Sequence, residues 1–417
     1  MSLNRKAMVL AVGAALGSSG AYAQITSPAA SNWEFYGKFY PEVAHSAGNG
    51  STAPGTTGLA SFTNALGNNA VIHKWEMLPS NSYIGFRGYK NMGGGTKAIW
   101  QLETSVAVDQ GDGQPLGNRD TFAGIASDAY GTIRLGNMDT PFKRNGQILG
   151  FLGVNSGNFM SGTNVLQKGP FGTSSTSSFN LRRANSIDYA SPTILGGLQT
   201  LVQYSMGNPT EAGFTNTPPR NPWVISWAIK WEQGPMYLAF SQEAHFDIFG
   251  GSLNVVAAQS NTADPNVHAK DLANQIAGVY KIGVHSLEAD VVTKQYKENN
   301  VTPTATGKFQ EYKNNTVLLI VESRWSASWR TAINYSKGNE GKCKIAITSG
   351  AACSTTGLDG YLVSLGVSYY LDPNAYIFVI GNKVTNGKSA QYNSSANQKP
   401  NPGEDITTGG IGFAYTF

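Results

Sequence analysis

The run Trp223-Val224-Ile225-Ser226-Trp227-Ala228-Ile229-Lys230-Trp231 alternates with a period of two. One face reads Trp223, Ile225, Trp227, Ile229, Trp231; the other reads Val224, Ser226, Ala228, Lys230. That period belongs to a β-strand. In water, five large apolar groups on one face require a second layer to cover them. In a bilayer the same face meets lipid directly, with aromatics at the strand ends as an interfacial girdle. Comparable faces recur at Ala327, Trp329, Thr331, Ile333, Tyr335, at Tyr361, Val363, Leu365, Val367, Tyr369, and at Ile411, Phe413, Tyr415, Phe417.

Composition narrows the choice. Only 13% of the 417 residues are charged, about half the ~25% usual in soluble domains, and 49 are glycine. Mean hydropathy is −0.23, and beyond the first two dozen residues no run of 18 apolar residues occurs, whereas a spanning helix needs about 20. A secreted all-β protein and a transmembrane β-barrel remain. The pauses between alternating runs decide between them. Short breaks at 91–95, 128–131, 192–197, 233–235 and 372–374 interleave with long polar stretches at 44–77, 109–118, 139–180, 207–221, 244–270, 297–315, 337–358 and 385–405. Eight long connections at one rim and tight turns at the other predict a sixteen-stranded antiparallel transmembrane β-barrel. A two-sheet sandwich has no reason to segregate its loops so strictly.

The start of the chain sets the compartment. Arg5 and Lys6 precede an apolar stretch at 7–17, and Ala21-Tyr22-Ala23 offers a small-x-small cleavage site. Residues 1–23 therefore read as a secretory signal peptide, leaving 24–417 as the barrel. Cys343 and Cys353 share one long connection, and in an oxidising compartment they are expected to form a local disulfide. Catalytic signatures are weak. Gly93–Lys97 and Gly387-Lys388-Ser389 lack the full phosphate-loop spacing, and no G-x-S-x-G elbow occurs. His45, His73, His245, His268 and His285 show no metal-ligand spacing. No catalytic residue, metal or cofactor is assigned.

Three runs carry a resemblance: SYIGFRGYKNMGGGTKAIWQLE (82–103), NRDTFAGIASDAYGTIRLGNMDTP (118–141) and RRANSIDYASP (182–192). They resemble the general trimeric porins of Gram-negative outer membranes, nearest to those of β-proteobacteria (the Burkholderiales type). The resemblance implies a homotrimer in the outer membrane, with a third loop, 139–180, folded into each lumen as the constriction. It implies passive diffusion of small hydrophilic solutes and ions, with no cofactor and no nucleic acid. The partners it implies are outer-membrane lipid, lipopolysaccharide and the assembly machinery, and Phe417 resembles the family's assembly signal.

Strand parity gives a lumenal face independently. In the first strand Trp33, Phe35 and Phe39 point to lipid, leaving Glu34, Tyr36, Lys38, Tyr40 and Glu42 inside. The second strand turns Tyr83 and Arg87 inward, and the third turns Lys97, Ile99, Gln101 and Glu103 inward. In the sixth, Arg182, Ala184, Ser186 and Asp188 share the lumenal parity, with Arg183 beside them at the strand top. A charge on the lipid face at mid-membrane costs about 2–4 kcal/mol, so the rule is strict near mid-strand. From 140 to 187 there is no acid, while Lys143, Arg144, Lys168, Arg182 and Arg183 are basic. By the resemblance, cation-selective members carry acids in this loop, and Lys38 and Arg119 match a basic cluster on the opposite wall. Tyr83 stands where the family often has arginine. The expected function is an anion-preferring diffusion pore. The alternatives are a substrate-specific channel for organic anions, phosphate or sugars on the same barrel and, more distantly, an outer-membrane barrel enzyme.

Overall fold

In the computed structural model, the described residues are 32–52, 60–61, 73–78, 81–109, 114–150, 152, 160–172, 175–207, 220–350, 352–394 and 398–417. The expected signal peptide at 1–23 lies outside them. Among the described residues, nineteen β-segments join in one antiparallel sheet that closes on itself.

The segments reduce to sixteen wall strands. β1 (Trp33–Phe39) and β2 (Glu42–Asn49) are halves of one strand, interrupted where Pro41 has no N–H to give the ladder. The gap is bridged by the Tyr40 N–H, which donates to Ser82 Oγ at 2.8 Å. β3 (Lys74–Leu78) and β4 (Tyr83–Gly93) are likewise one strand. Single strands follow: β5 (Thr96–Ser105), β6 (Thr121–Ser127), β7 (Gly131–Asp139), β8 (Arg182–Ala190), β9 (Leu198–Ser205), β10 (Trp223–Gln233), β11 (Met236–Phe246), β12 (His268–Ile282), β13 (His285–Asn299) and β14 (Lys308–Arg324). β15 (Trp329–Gly338) pairs with the second part of β14, while β16 (Lys342–Ala346) pairs with its first part. β17 (Gly360–Asp372), β18 (Ala375–Asn386) and β19 (Asp405–Thr416) complete the wall.

Closure uses the two ends of the barrel sequence. β19 pairs with β2 and β1, and Gly37 and Phe417 exchange two backbone hydrogen bonds of 3.0 Å. The Phe417 ring lies 5.5 Å from Phe35 and 5.7 Å from Phe39. Gly37 is what lets it seat, because a Cβ there would lie 2.5 Å from the ring. Closed ladders leave no unpaired edge in lipid.

Parity holds around the wall. Ile333, Leu365, Val379 and Ile411 are exposed on the outer face, while Asn334, Ser364 and Ala414 are buried on the inner. The deciding strand, β10, presents its tryptophans outward, with Trp223 stacked on Phe246 at 3.7 Å. Two stretches differ from expectation. Most of 297–315 is strand, because the ladder runs on through Gln295↔Lys313 and Lys297↔Glu311, with Gln295 Nε2 donating to Glu311 Oε1 at 2.9 Å. The stretch 337–358 likewise contains β16. Polar alternation lets strands outlast the apolar belt, so polarity alone does not mark a loop. Cys343, in β16, is bonded to Cys353 with a Cα separation of 5.8 Å.

Candidate channel constriction

The loop after β7 turns inward at Thr140-Pro141. Thr140 caps the short helix α1 (Pro141–Arg144), its Oγ1 accepting from the Lys143 N–H at 3.3 Å, and Pro141 takes the first helical position, where its missing N–H costs nothing. Phe142 is fully buried. Its N–H donates to Ser226 Oγ at 3.0 Å, and its carbonyl accepts from Gln275 Nε2 at 3.1 Å. The first helix is thereby docked on the inner faces of β10 and β12.

Farther along, the inner row of β13 grips the loop backbone. Asp290 accepts from the Gln147 N–H at 2.8 Å, and Glu288 accepts from Ile148 and Leu149 at 2.6 and 2.8 Å. Lys294 Nζ donates to the carbonyls of Val165, Leu166 and Lys168 at 3.1, 2.9 and 2.6 Å. A second short helix, α2 (Thr163–Leu166), sits so close that a Cβ on Gly162 would lie 2.3 Å from Leu318. Met160 O accepts from Asn334 Nδ2 and Ser364 Oγ at 3.0 and 2.9 Å. The loop therefore lies along the inside of the wall from β10 to β17, with α1 opening the run beside β7. Sequence reading missed this clamp, although the shared parity of Glu288, Asp290 and Lys294 was its available signal.

The expected pore charges fall into pairs. On the wall, Arg87 meets Glu34 and lies over the Tyr36 ring at 4.7 Å. Arg119 meets Glu103 and covers Tyr83 at 4.6 Å, while the Tyr36 hydroxyl donates to Glu103 at 3.0 Å. Lys38 is buried, its Nζ 4.9 Å from the Tyr40 ring centroid. Lys143 bonds Asp139 at 2.9 Å, and Arg182 bonds Asp120 at 2.7 Å and Asp139 at 2.9 Å. Apart from Lys38, those groups balance. Asp188 does not, because both Arg134 and Arg144 converge on its buried carboxylate. Lys168 bonds a neutral amide, Asn164 Oδ1, at 2.8 Å. Burial and the nearby Lys143 ammonium bring Lys168 down to about 8.

Two expectations need correction. Lys97 shares the lumenal parity, but it sits six residues from Glu103 along β5, roughly 20 Å at the strand rise. It lies over Tyr89 near the short-turn rim, away from the cluster. On β8 the alternation slips, with a register shift opposite Gly136/Met138 and Asn185 at φ +54°. That bulge buries Arg183 rather than Ala184 alongside Ser186 and Asp188, in the field of Glu243. The carboxylates Asp120, Asp139 and Asp188 that partner the loop bases were not singled out from sequence.

The pattern of the Gram-negative porins matches residues 7–417. The major outer membrane protein P.IA of Neisseria meningitidis serogroup C is 44% identical over 61 residues, 15% of this chain and 16% of that protein. P.IB of Neisseria gonorrhoeae is 39% identical over 71 residues, 17% of this chain and 20% of that protein. The matched stretch thus spans less than a fifth of P.IA and a fifth of P.IB. Among solved structures, the anion-selective porin from Comamonas acidovorans superposes with a TM-score of 0.67 at 17% identity, covering 93% of this chain and all of that one. OmpT of Vibrio cholerae gives 0.59 at 14% identity, over 95% of this chain and all of that one. These last likenesses are of fold. The chain therefore belongs to the Gram-negative porin family, and it is an outer-membrane β-barrel.

Proposed function

We propose that the chain forms a homotrimer of water-filled pores that pass small hydrophilic solutes and ions by passive diffusion, with a preference for anions. The observation that carries the preference is the sharing of Asp188 by Arg134 and Arg144. It leaves one surplus positive charge at the constriction, and Lys168 on its neutral partner leaves a second. Fixed basic side chains lower the energy of a passing anion and raise that of a cation. In a wet pore, each charge ~5 Å from the ion is worth about 0.8 kcal/mol. Two such charges give a bias of about tenfold. The acid-free loop supports this reading but overstates it, since Lys143 is offset by Asp139.

We assign the pore lining to Lys38, Tyr83, Arg87, Glu103, Arg119, Lys143, Arg144, Lys168, Arg182 and Arg183, and outer-membrane targeting to a cleaved segment at 1–23. Phe417, packed against Phe35 and Phe39, is proposed as the assembly signal. The test is a planar-bilayer recording of the refolded protein in a salt gradient. Step conductances grouped in threes and an anion-signed zero-current potential are expected. Single steps would remove the trimer, and a cation sign would remove the anion preference, each without touching the barrel.

A further inference from the structure

At the short-turn rim, β14 and β15 set Arg324 directly opposite Arg330. Like charges directly opposed weaken a strand pair. Glu322 is a carboxylate beside them, 3.4 Å from Arg324 Nε. Glu322 and its cross-strand partner Ala332 are buried inward-facing positions, which puts the arginines, two residues away on each strand, on the lumenal face.

Beneath Arg330 lies an aromatic stack. Its guanidinium carbon is 4.0 Å from the Tyr370 ring centroid, and Tyr370 stacks on Tyr376 at 4.6 Å and 26°. Tyr376 is buried and pinned, its hydroxyl donating to the Leu152 carbonyl at 2.9 Å. The stack is fixed at one end and terminates in a guanidinium plane at the other. A second guanidinium, its side chain 46% exposed, stands across the strand pair.

We propose that Arg324, Arg330 and Tyr370 form a binding subsite for planar aromatic carboxylates at this mouth of the pore. The carboxylate takes the in-plane N–H groups of Arg324, the charge-assisted geometry arginine favours. The ring of the ligand extends the stack onto the Arg330 plane, which accepts aromatic faces as an ammonium does not. A saturated acid of equal charge keeps the first contact and loses the second. The proposal rests on the channel reading above and adds a ligand class to it.

The experiment compares block of the chloride current of the full refolded chain by sodium benzoate and by sodium cyclohexanecarboxylate. Half-block is expected at about fivefold lower benzoate concentration, as for ~1 kcal/mol of stacking. Arg330→Gln should abolish most of the benzoate block. Arg330→Lys, which keeps the charge, and Tyr370→Leu should both bring benzoate to parity with the saturated acid. Equal half-blocking concentrations on the unmodified protein overturn the proposal, as does undiminished discrimination in Arg330→Lys. Absence of any chloride current before acid is added would instead fail the channel reading, so the two failures are distinguishable.

Discussion

Lys168 is one residue through which pH reaches the constriction. Its basic group is brought down to about 8 by burial and by Lys143, so it is charged below that pH and neutral above it. Anion preference is therefore expected to fall as pH rises through about 8. The zero-current potential in dilute salt should move toward cations between pH 6 and 9, and Lys168→Gln should reduce that movement. An undiminished shift in Lys168→Gln would show that Lys168 takes no part in it. Gly37 supplies a second residue-scale prediction. A methyl group there meets the Phe417 ring at 2.5 Å and the Tyr83 carbonyl at 2.9 Å, and overpacking of this kind costs about 1–3 kcal/mol. Gly37→Ala should lower refolding yield and the temperature at which the folded gel band is lost; an unchanged melting temperature would show that Phe417 can shift at no cost. Residue identities on the wall were legible, because period two fixes which side Glu103 or Lys38 faces. Their partners were not. Arg144 reaches Asp188 from a loop 44 residues earlier, and no periodicity encodes that return.

At the scale of elements, the loop clamp on β13 is the feature most open to test. Lys294 satisfies three loop carbonyls, and each acceptor left unsatisfied in a buried site costs about 1–3 kcal/mol. Lys294→Met should therefore loosen the loop without opening the barrel. Noisier single-channel current and faster proteolysis within 140–180 are expected, with β-rich circular dichroism retained; a quiet, protease-resistant variant would show that the clamp is dispensable. The Cys343–Cys353 link ties β16 to its own connection and packs at the edge of the apolar cluster that holds Phe142 and Leu166. An unreduced digest should yield the linked peptides in mass spectrometry. Cys343→Ser with Cys353→Ser should leave conductance and ion preference where they were, and a changed preference would give this connection a role in the pore. Strand existence and order were readable from alternation and turn spacing. Strand length was not, since the rows from Gln295 to Lys297 and from Lys308 to Lys313 pair above the apolar belt through polar side chains.

For the molecule as a whole, the closed ladder explains the barrel, and the charge arrangement inside it explains the proposed transport. The apolar outer belt and a lumen lined by ion pairs follow from one alternation seen from its two sides. The surplus of positive charge is a property of the assembled interior, because it depends on a loop laid against β10–β17 and on which carboxylates that path leaves shared. Its reach is set by screening, with a Debye length of ~10 Å at 0.1 M salt and ~3 Å at 1 M. The direct test is the zero-current potential of the unmodified protein and of the double variant Lys143→Glu, Arg144→Glu, each measured across a gradient in dilute and in concentrated salt. The unmodified pore should favour anions by about tenfold in dilute salt. The double variant should shift decisively toward cations there, with a smaller change in conductance, and the two proteins should converge at ~1 M. Identical zero-current potentials in dilute salt would contradict the account, because the start of the loop would then not line the constriction.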